Sequence, residues 1–261
     1  MKLPFFQVDA FTDRAFGGNP AAVIPLEGWL PDELMLNIAR ENAVAETAFF
    51  VPLDDGFAIR WFTPEIEMDL CGHATLAAAH VIVRHLNLSA SPVRFQSQSG
   101  ELTVKIAGDL LTLDFPSRKP KLCTIPAFIL ESVREEPLEV LKARDYILVF
   151  DNETNIRTLV PDRAVLDRIN IDPGGVAVTA RGDDVDFVSR FFTPQASVFE
   201  DPVTGSAHCS LIPYWSEKLG KESMLALQLS PRGGKLFCQN AGDRVLISGE
   251  AVTYLQGTIS L

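Results

Sequence analysis

The residues best suited to chemistry in this sequence lie at the predicted starts of two apolar helices. Cys71-Gly72-His73 opens one helix, and Thr204-Gly205-Ser206 opens the other. A glycine lets a ligand approach the backbone, and the free amides and dipole of a helix N-terminus favour an anion. The pair therefore predicts a site for a carboxylate or a phosphate. Either start alone is explained as well by ordinary capping of a core helix.

Glu46 is the candidate acid/base. It lies between a predicted helix and the predicted strand 47–51, and its neighbours in the sequence are almost all apolar. A poorly solvated carboxyl group suits general acid/base catalysis, although a lone acid in such surroundings is more often a helix cap or an ion-pair partner. Asp201, just before the second helix start, is predicted either to cap a turn or to hydrogen-bond a polar group of a ligand.

The cysteines and histidines give no metal signature. Neither Cys71-Gly72-His73 nor His208-Cys209 has the spacing of zinc ligands, so no metal is predicted. His73 at a helix start is suited to donate to an anion. The chain contains no GxxxxGK[ST] and no GxGxxG motif, so nucleotide binding has no support. The four cysteines are predicted to be reduced thiols: Cys71, Cys123, Cys209 and Cys238.

The elements that must position these residues occur twice. The block 54–64 recurs at 184–194, an offset of 130, and parts of 100–109 recur at 234–243, an offset of 134. A period this long is outside the range of solenoid repeats and predicts two homologous domains with a ligand cleft between them. The repeat aligns Gly72 with Gly205, but it places Val176 opposite Glu46 and Thr204 opposite Cys71.

Hydrophobic patterning predicts an α+β fold. The helices are expected at 31–42, 76–86 and 206–219, and the segment 116–145 reads as a Pro- and charge-rich connection with short helices. The most apolar helix, 76–86, is expected to be buried on most sides by a sheet. The strands are expected at 5–11, 21–24, 48–51, 57–62, 93–95, 102–106 and 110–115.

Composition excludes several partners. The chain has 261 residues and a net charge of -11, which argues against nucleic acid and against an anionic membrane surface. The longest apolar stretch, 70–83, contains two histidines and is too short for a membrane span. The N-terminal residues do not resemble a signal peptide, so a cytoplasmic location is expected.

Several motifs, in order along nearly the whole chain, resemble the phenazine-biosynthesis PhzF family. They are Asp9-Ala10-Phe11-Thr12, Gly18-Asn19-Pro20-Ala21-Ala22-Val23, Ala45-Glu46-Thr47-Ala48-Phe49, Cys71-Gly72-His73-Ala74-Thr75 and Asp201-Pro202-Val203-Thr204-Gly205-Ser206-Ala207-His208. The resemblance implies a diaminopimelate-epimerase-like fold of two pseudo-symmetric domains, each a curved, mostly antiparallel sheet around a central helix. The resemblance also implies that the last strand, at about 251–261, returns to the first domain. The expected domains are therefore 1–115 plus 250–261, carrying Glu46, and 116–249, carrying 201–206.

The same resemblance implies an activity. In the family, a glutamate matching Glu46 moves a proton between ring carbons of a dihydro-hydroxyanthranilate, without a metal or an organic cofactor, and members are commonly dimers. We therefore expect a homodimeric isomerase acting on a small carboxylate-bearing substrate, with a cyclic, anthranilate-like compound as one candidate. The expected catalytic residues are Glu46, Asp201 and His73. The expected substrate-binding residues are Asn19, Gly72, His73, Asp201, Gly205 and Ser206.

Two alternatives stay open. The related racemases use two opposed cysteines, and Cys71 occupies the first of these positions, but Thr204 occupies the second. A racemase acting on an amino or hydroxy acid would then need Cys71 with a partner other than a thiol. A binding protein without catalysis is the last alternative, and the presence of Glu46 counts against it.

Overall fold

The computed structural model describes residues 1–86, 88, 91–169 and 174–261. Six helices are described, and in chain order they are α1 Asp32–Asn42, α2 Gly72–Arg84, α3 Ala127–Val133, α4 Glu153–Thr158, α5 Arg163–Leu166 and α6 Gly205–Leu219. The described strands are β1 Lys2–Ala10, β2 Asn19–Pro25, β3 Glu46–Leu53, β4 Gly56–Phe62, β5 Glu67–Met68, β6 Val93–Ser97, β7 Gly100–Ala107, β8 Leu110–Pro116, β9 Lys121–Leu122, β10 Glu139–Lys142, β11 Tyr146–Val149, β12 Val176–Arg181, β13 Phe187–Phe192, β14 Ser223–Gln228, β15 Gly234–Ala241, β16 Arg244–Gly249 and β17 Ala251–Ser260.

The chain forms two compact units. Unit 1 contains Met1–Phe115 and Ile247–Leu261, and unit 2 contains Pro116–Leu246. The boundary therefore falls within β16, a few residues before the expected residue 250. The last strand, β17, pairs antiparallel with β1 along its whole length, which ties the end of the chain to unit 1.

Unit 1 is a mixed sheet packed on one apolar helix. β2 pairs in parallel with β3, β3 antiparallel with β4, and β4 in parallel with β6, after which β6, β7 and β8 form an antiparallel meander. α2 packs against β1, β2 and β3, and its residues from His73 to Ile82 are all buried. The expectation of a helix buried on most sides is confirmed.

Unit 2 repeats this order of pairings. β11 pairs in parallel with β12, β12 antiparallel with β13, β13 in parallel with β14, and β14 antiparallel with β15. Its buried helix, α6, contains Pro213, which has no N–H to donate to the carbonyl of Cys209. The backbone N–H of Arg118 donates to that carbonyl instead, at 2.9 Å.

The arginine of the repeated sequence block forms an equivalent ion pair in each unit, with a glutamate that follows the block. Arg60 donates two hydrogen bonds to Glu67, at 2.7 and 2.6 Å, and Arg190 donates two to Glu200, at 2.7 and 2.9 Å. Each guanidinium also lies over the phenylalanine two residues further along its strand. The sequence alignment of the two copies therefore corresponds to a shared local structure.

The segment 116–145 differs from the expected connection. It does contain the short helix α3, but it also contains β9 and β10, which pair with each other, and β10 continues the sheet of unit 2 by pairing with β11. Strands of two and four residues are too short to give a recognisable hydrophobic period. Among the described helices, none combines the length and the hydropathy that crossing a membrane requires.

Candidate active site

Two parallel strands and one helix start bring the candidate acid/base residues of unit 1 together. Glu46 is the first residue of β3, and it pairs with Ala21 near the start of β2. Asn19 begins β2, and Cys71 and His73 flank the first residue of α2, which packs on both strands. Because parallel strands begin at the same edge of a sheet, these four side chains meet there.

The loop before β2 fixes the position of Asn19. The backbone N–H groups of Phe11 and Thr12 donate to the carbonyl of Glu250, and that of Phe16 donates to the carboxylate of Asp9 at 2.9 Å. Gly18 has φ +60, and a Cβ there would lie 2.0 Å from the carbonyl oxygen of Ala10. Only glycine fits this turn, so the glycine before Asn19 is required by the close approach of the backbone.

His73 is the centre of this group. Asn19 Nδ2 donates to His73 Nδ1 at 3.2 Å, and Cys71 Sγ lies 3.6 Å from the same nitrogen. On the other side of the ring, His73 Nε2 lies 3.1 Å from Glu46 Oε2. The contact has the length of an ion pair, so these two buried atoms are each other's polar partner. Asn19 is fully buried, His73 nearly so, and the Glu46 side chain is 18% exposed.

Burial and neighbouring charge shift the titration of two of these groups. Burial raises the pKa of the Cys71 thiol, and the nearby Glu46 carboxylate raises it further. Burial alone would lower the pKa of His73, but Cys71 and Glu46 beside it outweigh this effect and hold that pKa well above its ordinary value. The Cys71 thiol is therefore a poor base, whereas His73 is suited to carry a proton next to Glu46.

In unit 2, a network of buried polar groups shapes the turn before α6. Thr204 Oγ1 donates to the Asp201 carboxylate at 2.5 Å, so this hydroxyl does not cap the helix. Gln228 Nε2 donates to the Asp201 carbonyl at 2.7 Å and to Thr204 Oγ1 at 3.1 Å, and its Oε1 accepts from the Thr204 N–H at 2.8 Å. Gly205 is the first residue of α6 and Ser206 the second.

The expected site residues thus form two local groups. Asn19, Gly72, His73 and Glu46 lie together in unit 1, and Asp201, Gly205 and Ser206 lie together in unit 2. Sequence reasoning missed Gln228, which is 1% exposed on β14. The only sequence signal was a glutamine at a position where the alternation of β14 calls for an inward-facing apolar residue.

One group of residues in unit 1 has the composition of a metal-binding site. Glu46, Cys71 and His73 each offer one ligand atom, and these atoms lie within 4.8 Å of one another. Their spacing in the sequence did not predict this, because Glu46 comes from a different element than the other two. The same three side chains are those that would handle a proton.

Comparisons of the sequence and of the structure with known proteins all indicate the same family. The family model described as phenazine biosynthesis-like protein matches residues 8–257. A protein of Pseudomonas aeruginosa named an uncharacterized isomerase is 51% identical over the whole of both chains. The crystal structure of a PhzF-family phenazine biosynthesis protein from Enterococcus faecalis superposes with a TM-score of 0.96 at 44% identity, covering all of both chains.

A more distant likeness concerns the fold alone. A hydroxyproline epimerase from Agrobacterium vitis, solved with trans-4-hydroxy-L-proline bound, has a TM-score of 0.64 at 12% identity, covering 100% of this chain and 93% of that one. The expected epimerase-like α+β fold is therefore confirmed.

Proposed function

The chain belongs to the phenazine biosynthesis-like family and is an isomerase, and we propose that it moves a proton between two carbon atoms of a small carboxylate-bearing substrate, with Glu46 as acid/base. The observation that carries this proposal is the position of Glu46. Its carboxylate lies 3.1 Å from His73 Nε2, is largely shielded from water, and remains accessible at its edge.

The proposed reaction balances without an added reactant. Glu46 removes a proton from a carbon beside a carbonyl or a double bond, and the electron pair of the broken C–H bond moves into that conjugated system. The neutral carboxyl group then returns the proton to a second carbon, which forms a new C–H bond and regenerates the carboxylate. One carboxylate serves both carbons, so the transfer stays on one face of the substrate. No redox or organic cofactor is required by this scheme.

His73 and Asn19 support the acid/base in this proposal. Nε2 of His73 carries a proton towards Glu46 both in the imidazolium that the raised pKa favours and in the neutral ring that accepts a hydrogen bond from Asn19 Nδ2 at Nδ1. That proton stabilises the negative carboxylate before proton abstraction, or a negative oxygen on the substrate after it. The N-terminus of α2, whose capping residue Cys71 makes no side-chain capping bond, supplies amides that favour a carboxylate.

In this proposal, residues of unit 2 bind the substrate. Asp201 accepts a hydrogen bond from a polar group of the substrate, and Gly205 and Ser206 bind it through the N-terminus of α6. These roles rest on the family resemblance and on the local network around Asp201. The homodimer and the cytoplasmic location remain predictions.

A Cys71-dependent racemase is the second candidate, because Cys71 Sγ contacts His73 Nδ1 at 3.6 Å. Two observations weigh against it. Burial raises the pKa of this thiol, which disfavours the thiolate that a base would need, and Thr204 occupies the aligned position in unit 2.

The test begins with a metabolite screen by thermal shift, followed by exchange of each stabilising compound in heavy water. Glu46→Gln should fold normally and lose at least about 100-fold in turnover and in deuterium exchange. Glu41→Gln, at an exposed residue in the last turn of α1, is the matched control and should be unaffected. Full turnover in Glu46→Gln would overturn the proposal, and exchange lost only in Cys71→Ser would select the racemase. Stabilisation without any exchange would indicate a binding protein.

A further inference from the structure

The last strand of unit 1, β17, has one side open to solvent. Its inner side pairs antiparallel with β1, from Ala10 back to Lys2, and β1 in turn pairs with β2. Among the described strands, β1 is therefore the one that separates β17 from the rest of the sheet. Five successive residues of β17, 254–258, are exposed. The backbone N–H and C=O groups on the outer side are thus available to a further strand.

This open edge lacks the features that usually prevent strands from associating. Edge strands are normally short, charged or interrupted by proline. β17 has ten residues, and 251–261 contains neither a charged residue nor a proline, although the chain carries a net charge of -11. The strands β5 and β9, by contrast, have two residues each, and one of the two is charged. A bulge at Tyr254 interrupts the pairing with β1, but 255–260 pair with it in a continuous register.

Exposed apolar side chains lie along the same edge. Leu255 is 41% exposed and Tyr254 is 49% exposed, and Phe16, at 72%, has its ring 5.5 Å from that of Tyr254. Phe16 has φ 70, which is uncommon for an aromatic residue, and its N–H donates to the Asp9 carboxylate. An apolar partner on this edge would remove these side chains from water.

Gly257 lies in the middle of the edge, although its own chain does not require a glycine there. Its backbone is outside the left-handed region, and the nearest neighbour of a Cβ at this position would be Leu255 Cδ2, at an ordinary 3.8 Å. A glycine inside a strand lowers stability, and it often marks a point where another backbone approaches closely. A second strand beside Gly257 would explain this residue.

The polarity of the residues around Gly257 is the same in both chain directions. Leu255-Gln256-Gly257-Thr258-Ile259 is apolar, polar, glycine, polar and apolar. With a twofold axis at Gly257, an antiparallel copy of this strand would place Leu255 opposite the partner's Ile259, and Gln256 opposite the partner's Thr258. Apolar side chains would then meet on one face of the sheet and polar side chains on the other. The strand is therefore self-complementary.

The apolar face of this pairing continues the core of unit 1. Ile259 pairs with Leu3, and Gly257 pairs with Phe5, so their side-chain positions share a face with these two core residues. Ile259 itself packs against the same apolar cluster. Contact of Leu255 with the partner's Ile259 would extend that cluster from each copy to the other.

Charge also favours a second copy of this chain as the occupant. Two chains of net charge -11 repel each other least where neither carries a charge, and 251–261 is such a surface. A basic protein would instead be matched by acidic side chains at the edge.

We propose that β17 pairs antiparallel with β17 of a second copy of this chain, about a twofold axis at Gly257, and so joins two unit 1 sheets into one. The family resemblance predicts a dimer but not the surface that forms it. The interface does not depend on the proposed reaction.

Sedimentation velocity of the full chain tests this register. The unmodified chain should be a dimer at micromolar concentration. The two-lysine variant, Gln256→Lys with Thr258→Lys, places like charges opposite each other twice and should weaken dimerisation by at least about 10-fold. The mixed variant, Gln256→Lys with Thr258→Glu, places opposite charges there and should remain a dimer.

The controls separate the register from general effects of charge and folding. Gln256 and Thr258 are both exposed, so both variants should fold, as circular dichroism would verify. Two lysines make each chain less negative, so net repulsion cannot cause a loss of the dimer. Gln239→Lys, at an exposed residue of β15, should leave the dimer unchanged. A monomeric unmodified chain, a dimer that persists in the two-lysine variant, or equal loss in both double variants would overturn the proposal.

Hydrogen exchange of the backbone amides locates the interface independently. The outward amides of 255–260 should exchange more slowly as the concentration of the unmodified chain rises, and rapidly at all concentrations in the two-lysine variant. The amides of β7, which pairs with β6 and β8, should not differ between the two proteins. Equal exchange at 255–260 in both proteins would place the dimer contact elsewhere and overturn the proposal.

Discussion

The starts of α2 and α6 share a construction but differ in chemistry. Each helix begins at a glycine, and in each a side chain four residues after the capping residue binds that residue's carbonyl. Thr75 Oγ1 donates to the Cys71 carbonyl at 2.6 Å, and His208 Nδ1 lies 2.8 Å from the Thr204 carbonyl. The backbone of the two helix starts is therefore held in the same way by different residues.

The side chains around the two helix starts differ between the units. In unit 1, Glu46 faces His73, whereas Val176 takes the aligned place in unit 2 and is fully buried in an apolar cluster. Unit 2 instead surrounds its helix start with a hydrogen-bond network centred on Gln228. Under the proposed function, the acid/base group therefore belongs to unit 1, while unit 2 offers fixed polar groups.

The largest expected effect comes from exchanging the two residues, with Glu46→Val and Val176→Glu in one protein. The exchange should not restore activity, because unit 2 has no histidine at the position aligned with His73. A carboxyl group buried among Leu148, Val178 and other apolar side chains should also lower the free energy of unfolding by roughly 2–7 kcal/mol.

The exchange is measured by deuterium exchange on the identified substrate and by urea unfolding. Val176→Glu alone is the control for stability, and Glu46→Val alone is the control for activity. Recovered exchange in the double variant would show that either unit can supply the base, and the one-sided interpretation would then be wrong.

The next effect concerns His208 and pH. Burial lowers the pKa of His208 to about 4, although its bond to the Thr204 carbonyl raises it. In the unfolded chain the pKa is about 6.5, so between these values only the unfolded state binds the proton. Stability should therefore fall as the pH drops from about 6.5 to 4, by up to about 3 kcal/mol from this group. His80, whose pKa burial also lowers to about 4, adds a loss in the same window.

The variant His208→Thr copies Thr75, the aligned residue of α2, and isolates this contribution. We expect it to remove about half of the acid-induced loss, measured by urea unfolding at several pH values. The neighbouring Cys209→Ala is a buried control whose group does not titrate in this window, since burial raises the pKa of Cys209 to about 11. An unchanged pH slope in His208→Thr would contradict the assignment.

The sequence predicted the structural features that the two units have in common better than the contacts that distinguish them. Glycine before an apolar run identified both helix starts, and the recurring arginine identified two strands that form equivalent ion pairs. These features depend on local spacing, which a sequence displays directly. The epimerase-like fold followed from the family resemblance.

The contacts that distinguish the units were not predictable from spacing. Asn19 and His73 are 54 residues apart, and Gln228 lies 24 residues from Thr204. No local period connects such residues, because the sheet brings them together. The strands β9 and β10 were missed for a different reason, because two and four residues are too few to show a hydrophobic period. The cleft expected from the duplication stays a prediction.

A smaller effect is expected from Gln228→Met, which keeps the size of the side chain but removes its polar group. The Thr204 N–H and the Asp201 carbonyl lose their partner, so the free energy of unfolding should fall by about 1–3 kcal/mol. A less well fixed Asp201 should raise KM more than it lowers kcat. The exposed Gln239→Met on β15 is the matched control for both measurements. An unchanged KM in Gln228→Met would show that this glutamine contributes to stability but not to substrate binding.

The smallest effect on stability is expected from replacing the aligned arginines of the two units, Arg60 and Arg190. Arg190 also donates to the carbonyls of Ile156 and Leu159, at 3.0 and 2.6 Å, whereas Arg60 reaches the exposed Asp32. A lysine keeps the charge but cannot make the paired bonds to the carboxylate or serve both carbonyls. Arg190→Lys should therefore cost about 1–2 kcal/mol in urea unfolding.

Arg60→Lys is the counterpart within the same chain, and it should cost about 0.5 kcal/mol because its additional partner is solvated. Equal losses in the two variants would show that the carbonyl contacts of Arg190 add nothing to the shared ion pair. A larger loss of unfolding free energy in Arg190→Lys would instead show that the two carbonyl contacts stabilise unit 2 beyond the ion pair itself. The ion pair would then belong to a larger hydrogen-bond network, like the one around Gln228.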